Sequence, residues 1–253
     1  MSGTGPPGAG WPRPFSPSPL TVRIVIPTLD EADQIGPTLA SVARQEGPFE
    51  VVVVDGGSSD GTPEVAVREG HRLGLDVRVL SAARGRAQQM NAGAAAASGD
   101  VLLFLHADTR LPAGALAHVR RTLTDPAVVG GCFRTTFDLG GFWMRLWSLP
   151  LWMRWHRFAF GDRAPFVRRT AFEAVGGFPD QPLFEDLELV RRVRRLGRFA
   201  FLDAAVVTSA RRFAQHGPLR QQLRNLVVWG AWNLRLPPRW FVPLYPYAPG
   251  ARG

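Results

Sequence analysis

Three short motifs carry carboxylates directly after apolar runs: Pro27-Thr28-Leu29-Asp30-Glu31, Asp55-Gly56-Gly57-Ser58-Ser59-Asp60-Gly61-Thr62 and His106-Ala107-Asp108-Thr109. A fourth, Arg84-Gly85-Arg86-Ala87, sets two guanidiniums just ahead of an alanine-rich stretch. Each residue type suggests a task. A carboxylate at a strand end accepts hydrogen bonds from a base N–H or from ribose hydroxyls. A second carboxylate, about fifty residues on, can hold a divalent cation. Exposed amides and guanidiniums at a helix start suit phosphate. Together these are the parts for binding a nucleoside diphosphate and neutralising its charge as it leaves. The plain alternative for Asp55–Thr62 is an ordinary turn, since Gly, Ser and Asp are turn formers. Recurrence of the pattern after three separate apolar runs weighs against that alternative.

The elements that must position these residues are legible from the apolar runs. Val22–Ile26, Val51–Val54, Val77–Leu80 and Val101–Leu105 are continuous, as strands buried on both faces of a parallel sheet should be. Helical segments separate them. Ile35, Leu39 and Val42 recur at helical spacing, and Thr62-Pro63 opens a helix that ends near Gly70 or Gly74. Ala87 to Ser98 reads as a helix stopped by Gly99. This alternation predicts a doubly wound α/β half with its crevice at the carboxyl ends of the strands. Beyond it, Val128–Thr136, Ala164–Arg168 and Phe199–Thr208 read as strands. A helix from Glu185 to about Leu196 carries Leu187, Val190, Val193 and Leu196 on one face.

Composition bounds the rest. At 253 residues and 45% hydrophobic, the chain is neither a disulfide mini-protein nor a repeat array nor wholly disordered. Cys132 is the only cysteine, which leaves no internal disulfide and no Cys/His zinc cluster, and it reads as a small buried apolar residue in a reducing, cytoplasmic compartment. All thirty basic residues are arginine, a pattern of coding bias, yet the net charge of +9 favours anionic partners. Nucleic acid is not expected among them, because no nucleic-acid-binding pattern is present. No uncharged apolar run approaches the ~18 residues of a membrane span, and the N-terminus lacks the layout of a signal peptide.

The series IPTLDE, VVVVDGGSSDGT, RGRAQQMNAGA, GDVLLFLHADT and FEDLELVRRVRRLGR resembles glycosyltransferase family two over residues 20 to 215. The wording of RGRAQQMNAGA, LHADT and TSARR is similar to a bacterial subgroup encoded beside radical-SAM proteins, some of whose members are named arsenosugar-biosynthesis glycosyltransferases. The resemblance implies an α/β, GT-A-like fold with a mostly parallel central sheet flanked by helices. It implies residues 20–110 as a nucleotide-binding half and 111–215 as an acceptor half. Residues 1–19 are expected as a disordered Gly/Pro-rich tail, and 216–253 as a Trp/Arg-rich amphipathic segment. The implied reaction is inverting transfer of a sugar from a nucleotide-diphosphate donor. Pro27, Thr28, Glu31, Asp55, Gly57, Arg84, Arg86 and Asn91 would line the donor pocket. Asp108 would meet Mg2+ or Mn2+, Asp186 matches the general base, and Glu185 is the second choice.

Read on its own, Asp186 lies at a helix start, which favours the ionised form of a base but lowers its basicity. There are departures from the family. Asp30 stands where Asn is usual. His106 stands where the metal motif usually begins with Asp, either as a ring-nitrogen ligand or as a strand-end histidine bonded to backbone. Gln221-Gln222-Leu223-Arg224-Asn225 is half of a processive signature, so the chain reads as non-processive. Arg211 and Arg212 suit either a clamp on the donor diphosphate or a solvated basic face. Arg191, Arg192, Arg194 and Arg195 read as a solvated face, with Glu188 set to pair Arg192. Gly161-Asp162-Arg163 reads as a turn or as a contact to donor or acceptor. Trp143, Trp147, Trp152 and Trp155 with Arg145, Arg154 and Arg157, and later Trp229, Trp232 and Trp240, suit either core packing or peripheral contact with an anionic membrane at its inner face. The rival classes are a nucleotidyltransferase, a methyltransferase and a non-catalytic nucleotide-sugar binding module. IPTLDE occupies the place where a nucleotidyltransferase would carry a glycine-rich phosphate loop. The acceptor, a hydroxyl or a carboxylate, is not legible.

Overall fold

A computed structural model describes residues 19–96, 99–138, 161–211 and 218–244. The expected tail up to residue 18, the Trp/Arg stretch 142–160 and Arg212 lie outside the described residues. The described strands are β1 (Val22–Thr28), β2 (Phe49–Asp55), β3 (Val77–Ser81), β4 (Val101–Phe104), β5 (Thr109–Arg110), β6 (Val128–Phe137), β7 (Phe166–Arg168) and β8 (Arg198–Thr208). They form one sheet in the order β3-β2-β1-β4-β7-β6-β8-β5. The first four pair in parallel, as do β6 and β8, while β7 runs antiparallel to β4 and β6, and β5 to β8.

The pleat explains why the early runs are apolar throughout. Ile24, Ile26, Val51, Val53, Val101 and Leu103 face one way. There they pack under Ile35, Leu39 and Val42 of α1 (Ala32–Ala43) and Ala66 of α2 (Thr62–Leu73). Val25, Val52, Val54, Leu102 and Phe104 face the other way, against Ala87, Met90 and Ala94 of α3 (Arg86–Ala95). With α1 and α2 on one face and α3 on the other, the chain reverses winding between β1 and β4, and the crevice opens there. Gly93 sets how closely α3 rides on the sheet: a Cβ there would lie 2.4 Å from Val25 Cγ1 and 2.9 Å from Val54 Cγ2.

Several expectations are adjusted. β3 is only half-buried, because it lies at the sheet edge and lacks a second neighbour. The alanine-rich helix ends at Ala95, short of Gly99. The helix from Glu185, α6 (Glu185–Val193), also ends early, so Leu196 is 49% exposed rather than on the buried face. β5, α4 (Ala115–Thr122) and α5 (Arg169–Ala174) are additions.

At the C-terminus, α7 (Pro218–Asn233) and α8 (Pro238–Phe241) pack through Val228 and Phe241 against Leu183 and Phe184, the residues just before α6. Trp229 and Trp232 belong to this packing, with Leu187, Val190 and Phe199, whereas Trp240 is 61% exposed. Of the three C-terminal tryptophans, only Trp240 is set as an interfacial anchor would be. No described helix is long and apolar enough to cross a membrane.

Candidate functional site

The loop after β2 is wound on Asp55. Its Oδ2 accepts the N–H groups of Gly57 and Ser58, both at 2.9 Å, and its Oδ1 accepts the hydroxyls of Ser58 and, at 3.2 Å, Thr28. Burial alone would raise this carboxyl, but the four donors outweigh it and hold it below the usual carboxylate range. A second set of bonds ties the loop after β1 to the same turn. Asp30 donates its N–H to Ser58 Oγ at 2.9 Å and accepts the Ser59 N–H at 2.8 Å. Asp60 accepts the N–H groups of Ala32 (2.9 Å) and Thr62 (3.0 Å), so one carboxylate serves the first turns of both α1 and α2. Its burial would raise it, and these bonds hold it low as well. Asp30 has φ +53°, a left-handed conformation that Asp and Asn both tolerate, so Asp in the place of Asn keeps the backbone. Beneath the loops, buried Gln89 of α3 donates to the carbonyls of Thr28 (2.7 Å) and Val54 (2.8 Å) and fixes the ends of β1 and β2 together.

Arg211, after β8, connects the first motif to the third. Its Nη2 donates to Glu31 Oε1 and comes within 3.9 Å of Asp108 Oδ2. Burial would lower this guanidinium, but Glu31 and Asp108 reverse the effect and raise it above its ordinary value. The short strand β5 makes the approach possible. Thr109 and Thr208 share a hydroxyl hydrogen bond of 2.9 Å, and Ser209 donates its N–H to the Asp108 carbonyl at 3.1 Å.

Glu185 and Asp186 open α6, where the macrodipole favours negative charge. Both are buried, and Asp186 Oδ1 accepts the Leu187 N–H at 2.7 Å. Phe184 before them sits at φ +61°, an uncommon conformation for an aromatic residue. Arg86, at the start of α3, reaches Glu185 Oε1 at 2.8 Å. Burial pushes Glu185 up to about 6; Arg86 opposes this, and Asp186 adds to it. Half-buried Asp162 joins the group. Burial pushes its carboxyl up to about 6; the Arg163 and Arg86 charges pull it down, and those of Asp186 and Asp108 push it up. Asp162 is thus acted on by both Asp108 and Asp186, although the three come from separate parts of the chain.

The other expected residues are placed as follows. Pro27 stands opposite Val54 in the β1–β2 register, and Gly57 turns at φ +91° with no atom within 4 Å of where a Cβ would lie. Arg84 is exposed ahead of α3. Asn91 points its amide elsewhere: it donates to the Phe178 carbonyl and accepts the Phe178 N–H, both at 2.9 Å, so it braces the loop before α6. His106 is half-buried after β4, and its carbonyl accepts the Thr109 N–H at 3.1 Å. Gln89 and Asp60 were not singled out from sequence. A Gln in an alanine-rich helix, next to Gln88, carries no signal of its own, and Asp60 is hidden among turn formers.

Among the described residues, no three His, Cys, Asp or Glu side chains gather closely enough to enclose a metal ion. Asp108, with His106 two residues before it, makes at most an open set of one carboxylate and one imidazole. Such a set fits Mg2+ or Mn2+ that arrives with phosphate oxygens and keeps its waters, rather than a closed protein cage.

Comparison with known proteins bears on the fold and the family. The mannosyltransferase PcManGT from Pyrobaculum calidifontis, solved with GDP-Man and Mn2+, superposes with a TM-score of 0.68 at 24% identity over 91% of this chain and 69% of that one. Staphylococcus aureus TarS 1-349 in complex with UDP gives 0.64 at 19% identity over 76% and 61%. These likenesses establish a GT-A-like fold. Among curated relatives, the probable glycosyltransferase YdaM of Bacillus subtilis is 27% identical over 207 residues, which are 73% of this chain and 49% of YdaM. The beta-monoglucosyldiacylglycerol synthase of Trichormus variabilis is 26% identical over 61% of this chain and 36% of its own. The chain thus spans half or less of the length of these relatives. The sequence profile described as "Glycosyl transferase family 2" matches residues 23–178, from the first strand through the loop braced by Asn91, and the chain belongs to that family.

Proposed function

We propose that this chain transfers a sugar from a nucleoside-diphosphate sugar to an acceptor hydroxyl or carboxylate, with inversion at the anomeric carbon. The supporting observation is that Asp162 carries the electrostatic influence of both Asp108 and Asp186, while Arg211 lies 3.9 Å from Asp108 and Arg86 pairs with Glu185 beside Asp186. Base and ribose would lie over the loops after β1 and β2, beside Pro27, Thr28, Asp55 and Gly57. The diphosphate would lie between Arg211 and the start of α3 with Arg84 and Arg86, joined by Arg212. Asp108, with His106, would hold Mg2+ or Mn2+, which when bound offsets charge on the leaving diphosphate. Where the acceptor is a hydroxyl, Asp186 accepts its proton as that oxygen bonds to the anomeric carbon. The bond to the donor phosphate oxygen breaks on the opposite face, and its electron pair leaves with the nucleoside diphosphate. Glu185, held by Arg86, keeps a second carboxylate beside the base.

The wording of RGRAQQMNAGA, LHADT and TSARR supports a finer placement with the bacterial radical-SAM-associated subgroup. Peripheral contact with an anionic membrane from the cytoplasmic side completes the reading, carried by exposed apolar residues of α7 and α8. Thermal unfolding against UDP, GDP, UDP-glucose, UDP-GlcNAc and GDP-mannose, with and without Mn2+, tests the donor class. At 100-fold excess over Kd a ligand adds about 2.7 kcal/mol, so a Tm rise of several degrees is expected for one nucleotide and its sugar. A flat profile across the panel at millimolar concentration removes the proposal.

A further inference from the structure

Asp162 is held in place with more care than a surface turn requires. Thr135 donates its hydroxyl to the Asp162 carbonyl at 3.1 Å, and the fully buried Arg163 donates Nε to the Phe133 carbonyl at 2.8 Å. The Arg163 guanidinium also lies over the Phe201 ring, 5.3 Å from its centroid, and Ala164 is fully buried at φ +44°. These contacts fix the backbone to β6 and β8 while the Asp162 side chain takes no part in them. Its Oδ1 is shut off from water and accepts no hydrogen bond among the described residues. A buried acceptor without a donor is costly, and here it also faces two like charges, Asp108 and Asp186, with Arg163 and Arg86 opposing them. Among the described residues no donor offsets that arrangement.

We infer that Asp162 accepts a hydrogen bond from a hydroxyl of the transferred sugar, in the gap between the departing diphosphate and the attacking oxygen. The inference rests on the transfer reaction proposed above. In that reaction the diphosphate lies toward Asp108 and the attacking oxygen toward Asp186, so the sugar ring occupies the space between them. Asp162 is the carboxylate that senses both.

The test compares full-length wild type with Asp162→Asn and Asp162→Ala by calorimetric titration. The probes are the pairs UDP and UDP-glucose, UDP and UDP-GlcNAc, and GDP and GDP-mannose. Expected is a nucleoside-diphosphate Kd within about 2-fold of wild type, but a nucleotide-sugar Kd weakened about 10-fold or more. Unchanged nucleotide-sugar binding in Asp162→Ala overturns the inference, since Asn keeps an acceptor oxygen. So does an equal loss for nucleotide and nucleotide sugar, which marks a structural residue. A wild type that binds none of the nucleotides removes the transfer reading itself. A measurement on the unaltered protein guards against misfolded variants. Among deoxy analogues of the bound donor, one should weaken binding about 10-fold, and that same analogue should lose nothing further in any folded Asp162 variant. If every deoxy analogue binds wild type as well as the parent donor, Asp162 meets no sugar hydroxyl.

Discussion

Asp108 and Asp162 make separable demands. Asp108→Ala should leave the fold intact and abolish any dependence of nucleoside-diphosphate affinity on Mn2+, measured by titration with and without the metal. For Asp162 the demand is on stability. Its carboxyl rises in the fold from the usual value near 4 to about 6. Its contribution to stability is therefore fully present below pH 4 and lost as pH rises through 6. Asp162→Asn should match wild type in Tm near pH 4 and exceed it at pH 8, by about 1–3 kcal/mol of unfolding free energy. An Asn variant that is less stable than wild type at pH 8 contradicts this. Asp55 and Asp60 act with the opposite sign. Held below the ordinary carboxylate range, they stabilise the fold above about pH 4 and weaken it as pH falls. At this scale the sequence marks candidate carboxylates and is silent about their partners. Asp55, Asp108 and Asp186 stand out by motif. The Arg211–Glu31 pair spans 180 residues, and no local pattern encodes it.

Among the elements, α3 bears the most on the site. It presents Arg86 to Glu185 and Gln89 to the ends of β1 and β2, and it can do so because Gly93 lets it sit close to the sheet. Gly93→Ala should lift the helix and cost about 1–3 kcal/mol in chemical denaturation, with weaker nucleotide binding as a second effect. Unaltered stability would mean that the close approach is not under strain. The strands and the first helices were legible because β1, β2 and β4 are covered on both faces and so are apolar without interruption. β3 reads the same way in sequence yet lies at the edge, since a run of valine and leucine does not say how many neighbours a strand has. β5 is two residues long and beyond the reach of any periodicity. Helix ends were misplaced at Gly99 and Leu196 because a glycine or leucine just past a helix looks, in sequence, like part of it.

At the scale of the whole molecule, the proposed membrane contact rests on the arginine excess and the C-terminal helices. Leu223, Leu226, Val227, Leu234, Trp240 and Leu244 are exposed on or beside α7 and α8, near the exposed Arg220 and Arg235. Flotation with liposomes rich in anionic lipid should carry the protein upward at low salt and release it as salt is raised. Protein that stays at the bottom of the gradient at low salt removes membrane contact from the reading. The central claim concerns the crevice, and it is reached most directly by following release of nucleoside diphosphate from the nucleotide sugar that binds, in wild type and in Asp186→Asn. Turnover in wild type, with at least a 100-fold lower rate in Asp186→Asn at unchanged donor affinity, is expected when this carboxylate receives the acceptor's proton. Near-full turnover in Asp186→Asn would contradict it.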